Sequence, residues 1–437
     1  MTSQRRPDHV WVQEVPERFA FRYEGGRGYV DDVPLDAIAD AVGTPTYVYS
    51  TRHIAQRYRA LEAAVSGRPT KICYAVKANG SLAVLRHLQR LGAGADIVSV
   101  GEMKRAMAAG IAPSDIVFSG VGKTDEELDA AIEAGLRSIN AESAEEVHRI
   151  EARAIALGKR ANVTLRVNPD VDPNTHPYLA TGMQEAKFGI SMDEAAALAR
   201  KVHATEGLVM EGIGCHIGSQ IADVTPFVDS FARLRALATG LREDGVKLGH
   251  IDLGGGFGIA YREDESELDI AAWGKAVVDA SADLDVELMI EPGRYLVGQA
   301  GVLLTRVVGN KRSPTKGFMI IDAAMNDLLR PALYQAYHAI VPVSQPAADA
   351  QVSTVDVVGP VCESGDFLGL ARPMANASTG DLLAVLSSGA YGMSMASTYN
   401  SRPIPTEVLV DGDRWAVTRP RQSIEDLLAL EQVPDWG

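Results

Sequence analysis

Short β-branched runs alternate with longer amphipathic stretches between Arg68 and Pro292, which is the pattern of βα units feeding a parallel sheet. Eight segments read as strands: Lys71 to Val76, Ala95 to Ser99, Asp115 to Ser119, Arg137 to Asn140, Asn162 to Asn168, Gly212 to Ile217, His250 to Leu253 and Val286 to Ile290. Between them, segments such as Thr124 to Ala134, Ala144 to Leu157 and Met192 to His203 repeat alanine and leucine at helical spacing. Eight strands joined by helical crossovers predict a (β/α)8 barrel of the TIM type, within the α/β class. An open doubly wound sheet is the alternative, because strand order cannot be read from periodicity.

After Gly298 the texture changes. Strand-like pieces at Gly301 to Val308, Gly317 to Asp322, Gln351 to Val358, Leu382 to Leu386, Thr406 to Val410 and Arg414 to Thr418 are separated by Gly and Pro turns, as in a mainly β domain. Phe19 to Val30 and Pro45 to Tyr49 also read as strands and are expected to join it. The resulting division is an N-terminal segment 1–45 that belongs to the β domain, a barrel over 46–298, and the C-terminal β domain over 299–437. A length of 437 residues suits two domains, since single cores stop growing at roughly 250 to 300 residues. Disorder is expected only at the first few residues.

Charge and cysteine content narrow the chemistry. A formal net charge of −15 excludes a nucleic-acid or anionic-membrane surface and requires a local positive site for any anionic ligand. No run approaches the ~18 apolar residues of a membrane helix, and the polar start (Arg5, Arg6, Asp8) has no signal-peptide core, so a cytoplasmic setting is expected. Three cysteines, Cys73, Cys215 and Cys362, show no pairing or metal-like spacing, so neither structural disulfides nor a metal site is expected. The glycosylation-like tripeptides at Asn162 and Asn376 have no use in the cytoplasm.

In a closed barrel the reactive groups gather where the strands end. Lys77 ends the first strand in YAVKANG, His216 the sixth in CHIGSQ, glycines 254 to 256 the seventh in DLGGGFG, and Glu291 the eighth in EPGRY. Lys77, after apolar Ile72, Tyr74 and Val76, could lose its proton and form a Schiff base, although a solvated lysine is the commoner case. His216 could stack on a flat ring or be a core histidine. The turn Gly254, Gly255, Gly256 can present N–H groups to a phosphate or simply close a tight βα turn. Ile259 breaks the dinucleotide pattern, and Val117 occupies the first position that a nucleotide loop ending in GVGKT would need, so both nucleotide readings are discounted. Glu291 could face a pyridine nitrogen or pair with Arg294. Cys362 and Glu363 lie in a turn-flanked loop, GPVCESGDFLG, where a free thiol could transfer a proton or be inert. Arg330 and Tyr334 in LLRPALY offer a guanidinium fork and a phenol suited to a carboxylate, with surface packing as the alternative.

Taken in order, YAVKAN, NPDVDPNTHPYLATGMQEAKFGI, HIGSQ, DLGGGFGI, EPGRYLV, DAAMNDLLRPALY, GPVCESGD and GAYGMSMASTYNSRP resemble the barrel-type pyridoxal-phosphate decarboxylases, over about Thr46 to Pro403. Within that family the resemblance is to the branch that converts meso-2,6-diaminopimelate to L-lysine and carbon dioxide in lysine biosynthesis. It implies that Lys77 holds pyridoxal 5'-phosphate covalently and His216 stacks on its ring. Gly255 and Gly256 with Ser219, Gly293, Arg294 and Tyr391 would bind the cofactor, chiefly its phosphate, while Glu291 faces the pyridine nitrogen. Arg294, Arg330, Tyr334 and Tyr391 would hold the substrate carboxylate side, Glu363 the distal amine, and Cys362 would reprotonate the product carbon. In this family Cys362 and Glu363 reach the other subunit's site, which implies an obligate homodimer.

Neighbouring activities are separable by residue type. A racemase would place an arginine at the pyridine nitrogen, where this chain has Glu291. Decarboxylases of ornithine, lysine or carboxynorspermidine remain nearer alternatives. For substrates with a bare distal amine, such as ornithine or lysine, the Arg330 fork would have no carboxylate to hold. A cofactor-binding protein without catalysis would not need Cys362 and Tyr391 in a second domain. The acidic stretch Tyr261 to Asp269 has no function assigned by sequence.

Overall fold

The computed structural model describes residues 15–172 and 188–436. The first few residues, and most of the stretch Asn168 to Ile190, lie outside the described residues.

The described chain divides into two compact units. One holds Ala55–Ile259 and Ser266–Leu296; the other gathers the chain up to Ile54, Ala260–Glu265, and everything from Val297 onward.

The first unit is a closed barrel. Its strands are β1 (Thr70–Ala75), β2 (Gly94–Ile97), β3 (Ile116–Phe118), β4 (Ser138–Ala141), β5 (Ala161–Asn168), β6 (Leu208–Gly214), β7 (His250–Asp252) and β8 (Glu287–Ile290). All neighbours pair in parallel, β8 returns to β1 through Leu288↔Thr70, and β4 pairs β5 through Asn140↔Thr164. Parallel strands buried on both faces are apolar almost throughout, which is why the sequence runs were visible. The helices that follow are locally specified: Thr124 caps Asp125–Ala134 in a reciprocal box with Glu127, and Ser143 caps Ala144–Ala156 through the Glu146 N–H.

Five strands end short of the sequence reading: β2 stops at Ile97 rather than Ser99, β3 at Phe118 rather than Ser119 and β7 at Asp252 rather than Leu253, and the other two carry site residues. β6 stops at Gly214 rather than Ile217, and β1 stops at Ala75, with Val76–Ala78 forming a single 3-10 turn. Lys77 and His216 therefore sit in the connections just beyond the strands, where side chains are released from the strand alternation.

The second unit is mainly β. Its long sheet runs Phe367–Ala375, Val352–Val358, Gly317–Ile321, Gly301–Arg312, Thr46–Ser50, Thr406–Asp411, Arg414–Arg419, with Leu382–Val385 pairing both Gly301–Arg312 and Ile340–Pro342. The N-terminal strand Thr46–Ser50 lies antiparallel to Gly301–Leu304 and parallel to Thr406–Val410, so the two ends of the chain share one sheet. Val48, Val302, Leu304, Ala384, Val408 and Val410 form one core with Phe21, Val30, Leu35 and Ile38 from the N-terminal hairpin and helix. Each valine, leucine, isoleucine or phenylalanine side chain among them contributes about 1.5–3 kcal/mol on burial, which fixes the N-terminal segment to the β unit.

Candidate active site

The carboxyl ends of β1, β2, β6, β7 and β8 bring most of the sequence-derived residues of the barrel unit into one neighbourhood. Lys77 directs its Nζ to Asp96 Oδ2 at 3.1 Å; its side chain keeps 38% of its exposure, whereas that of Asp96 has none. Glu291, one residue beyond β8, is buried, and its Oε1 has no hydrogen-bond partner. Its side chain shares a hydrogen bond with Asp252, the last residue of β7, and Asp252 Oδ1 also accepts the Gly254 N–H at 2.8 Å. Burial pushes both carboxyls upward from the usual carboxylate range, and for Glu291 the negative charges of Asp252 and Asp96 add to the effect while the Lys77 amine opposes it.

The glycine turn is fixed by close backbone approach. A Cβ on Gly255 would stand 2.1 Å from the Glu291 carbonyl oxygen, and one on Gly256 would stand 2.3 Å from that of Gly218. Gly254 and Gly256 also adopt φ of +67° and +96°, the region side chains avoid. The turn is thereby wedged between the loops that carry His216 and Glu291. His216 Nδ1 accepts the Gly255 N–H at 3.1 Å, so in the neutral ring the proton belongs on Nε2. Desolvation, with the cations Lys77 and Arg166 nearby, holds this imidazole well below its ordinary pKa and keeps it neutral.

Pro292, Gly293 and Arg294 complete this end of the barrel. The Pro292 carbonyl accepts the Ala75 N–H at 3.2 Å, tying the EPG turn to the strand that carries Lys77. Arg294 opens the short helix Arg294–Val297, and its Nη2 donates to Ser219 Oγ at 3.2 Å.

Three residues of this neighbourhood were not picked out from the sequence: Asp96, Asp252 and Arg166. Arg166, on β5, is held by Glu142 Oε1 at 2.8 Å and lies 4.7 Å from the Phe188 ring centroid. A usable signal existed for the acids, since each interrupts an apolar strand (ADIV, HIDLG) at a position otherwise reserved for Val or Leu.

In the β unit, Arg330 is buried at the start of the one-turn helix Arg330–Tyr334, and its Nη1 lies 2.9 Å from His338 Nε2. Tyr334, four residues on, is exposed, so one helix presents the pair differently. Cys362 and Glu363 are exposed; the Cys362 N–H donates to Asn400 Oδ1 at 3.0 Å, and Glu363 Oε1 accepts the Gly365 N–H at 3.3 Å. Tyr391 takes a left-handed φ of +56° in the loop after Leu382–Val385.

The barrel-unit residues suit a phosphorylated pyridine aldehyde. They supply a partly exposed primary amine, a neutral imidazole, and a buried carboxyl oxygen awaiting a proton donor. The comparisons agree. The pyridoxal-binding domain of the pyridoxal-dependent decarboxylases matches residues 51–298, and the chain belongs to that family. It is 48% identical over 415 residues to the diaminopimelate decarboxylase of Vibrio cholerae, covering 94% of this chain and 99% of that one. The diaminopimelate decarboxylase of Aquifex aeolicus is 42% identical, over 92% and 95% of the two chains. Among solved structures, diaminopimelate decarboxylase of Helicobacter pylori complexed with L-lysine is 39% identical with a TM-score of 0.87, covering 91% of this chain and 98% of that one. The M. jannaschii enzyme in co-complex with L-lysine gives 36% and 0.90, covering 95% and 98%.

Proposed function

We propose that this chain decarboxylates meso-2,6-diaminopimelate to L-lysine and carbon dioxide. The observation that carries the reading is the buried Glu291 carboxyl, whose Oε1 lacks a partner and which lies within the field of the Lys77 amine. A carboxyl so placed stabilises a proton on a pyridine nitrogen, and that is the requirement of decarboxylation rather than racemisation. Identity with named diaminopimelate decarboxylases over nearly the whole chain supports the substrate.

When bound, pyridoxal phosphate supplies an aldehyde that takes up amines and a ring that withdraws electrons from a breaking bond. Lys77, itself held by Asp96, would hold the aldehyde. His216, kept neutral and oriented through the Gly255 N–H, would lie against the ring. The glycine turn, Ser219, Gly293, Arg294 and Tyr391 would receive the phosphate. Arg330 and Tyr334, with Arg294 and Tyr391, orient the substrate through its distal carboxylate, and Glu363 takes the distal amine. The bond from the reacting carbon to its carboxylate breaks, carbon dioxide leaves, and the Cys362 thiol returns a proton to that carbon and is reprotonated by water.

We also propose a homodimer whose sites are completed across the subunits, because Cys362 and Glu363 are exposed in the single chain. A cytoplasmic setting keeps that exposed thiol reduced.

The test is direct. Purified protein incubated with meso-diaminopimelate should release carbon dioxide and lysine in equal amounts. Product from ornithine or carboxynorspermidine, with none from diaminopimelate, would remove the proposal.

A further inference from the structure

The segment after the glycine turn, without a role in the sequence reading, supplies a wall for Arg330. Ala260–Glu265 belongs to the β unit, where Gln299 Nε2 donates to the Ala260 carbonyl at 2.9 Å. Tyr261 is buried with its ring centroid 4.8 Å from the Arg330 guanidinium carbon. The same ring meets His338 edge-on, at 5.4 Å between centroids and 76° between planes.

His338 is completely buried, and its two nitrogens have distinct tasks. A guanidinium only donates, so His338 Nε2 must accept from Arg330 Nη1, 2.9 Å away. The neutral ring then carries its proton on Nδ1, which donates to the Leu386 carbonyl at 2.9 Å. A cationic imidazole would set an N–H against an N–H, so the arrangement selects one charge state and one tautomer. Leu386 precedes Ser387, at φ +54°, in the connection that reaches Tyr391. One imidazole thus links the Arg330 helix to the start of the Tyr391 loop.

We infer that His338 and Tyr261 are positioning residues, which fix the Arg330 guanidinium by a hydrogen bond on one side and a ring face on the other, ready for a substrate carboxylate. The inference rests on the reading of Arg330 given under the proposed function. An arginine held before the substrate arrives loses less rotamer freedom on binding, so the benefit falls on substrate affinity rather than on the chemical step.

The experiment is a kinetic comparison of variants with diaminopimelate. His338→Leu should raise KM on the order of tenfold or more, the cost of losing a hydrogen bond to a charged group, with kcat little changed. His338→Gln, whose Oε1 can occupy the place of Nε2, should recover much of that loss. Tyr261→Leu, which removes the ring face, should raise KM in the same direction, which keeps the test open if His338→Leu fails to fold. Unchanged KM in a folded His338→Leu, or equal loss of kcat and melting temperature with His338→Gln no better, overturns the inference and leaves the substrate reading standing. Unchanged KM in Arg330→Lys overturns both.

Discussion

Two lysines follow barrel strands and meet opposite fates. Lys123, in the GVGKT stretch, is buried and donates to the carbonyls of Gly120 at 2.6 Å and Asn140 at 2.8 Å and to Glu146 Oε1 at 3.0 Å, which occupies all three of its protons. No donor remains for a phosphate, so the lysine bolts the loop after β3 to the helix after β4. Lys77 keeps a partly exposed amine, which pairs with Asp96 at 3.1 Å. The local sequences around the two do not separate them, because the deciding partners lie 23 and 19 residues further along the chain. Replacing Lys123 by Met strands the buried Glu146 carboxylate, and should cost about 3–5 kcal/mol in urea unfolding. Lys123→Met combined with Glu146→Gln should recover part of it. A loss under 1 kcal/mol, roughly what surface ion pairs are worth, would show that the amine is not a structural bolt.

At the scale of elements, the glycine turn after β7 is the joint on which the site depends. Gly255→Ala drives a Cβ to 2.1 Å from the Glu291 carbonyl oxygen, so the EPG turn must shift and carry Glu291 with it. The expected result is loss of cofactor occupancy together with about 1–3 kcal/mol of overpacking cost, read by phosphate-aldehyde titration and melting. Gly245→Ala, which meets nothing within 4 Å but sits at φ +81°, should cost stability and leave occupancy intact. Equal occupancy in both variants would remove the turn from the cofactor site. The barrel strands were legible because each is an apolar run of fixed length bounded by helical spacing. Phe367–Ala375 was not, for it contains Gly369, Arg372 and Pro373, and Ala371 takes φ +51°. β6 was placed late because its first residues precede a register shift between Met210 and Gly212, where Gly212 makes room for the His250 ring. Candidate residues at strand ends could be listed from sequence, whereas the Asp252–Glu291 pair and the His338–Arg330 bond arise only from register and folding.

For the whole molecule, the division of labour between units explains why the family motifs are spread along the chain. The barrel unit carries Lys77, His216, Glu291 and Arg294, and the β unit carries Arg330, Cys362, Glu363 and Tyr391. If a site takes Cys362 from a partner copy, inactive Lys77→Ala and Cys362→Ser variants should complement when unfolded and refolded together, giving about a quarter of wild-type activity from statistical hybrids. No recovery from mixtures that do form hybrids would place each complete site within one chain. Among the described residues no helix is long and apolar enough to cross a membrane. The expectations for occupancy, turnover and complementation depend on the Lys77 amine joining the cofactor. The decisive measurement is the absorbance spectrum of purified protein given pyridoxal phosphate and then desalted. The account predicts a protein-bound band at the violet edge of the visible that sodium borohydride abolishes and that Lys77→Ala lacks. The same band retained through desalting by Lys77→Ala, or absent from the wild type, would contradict it.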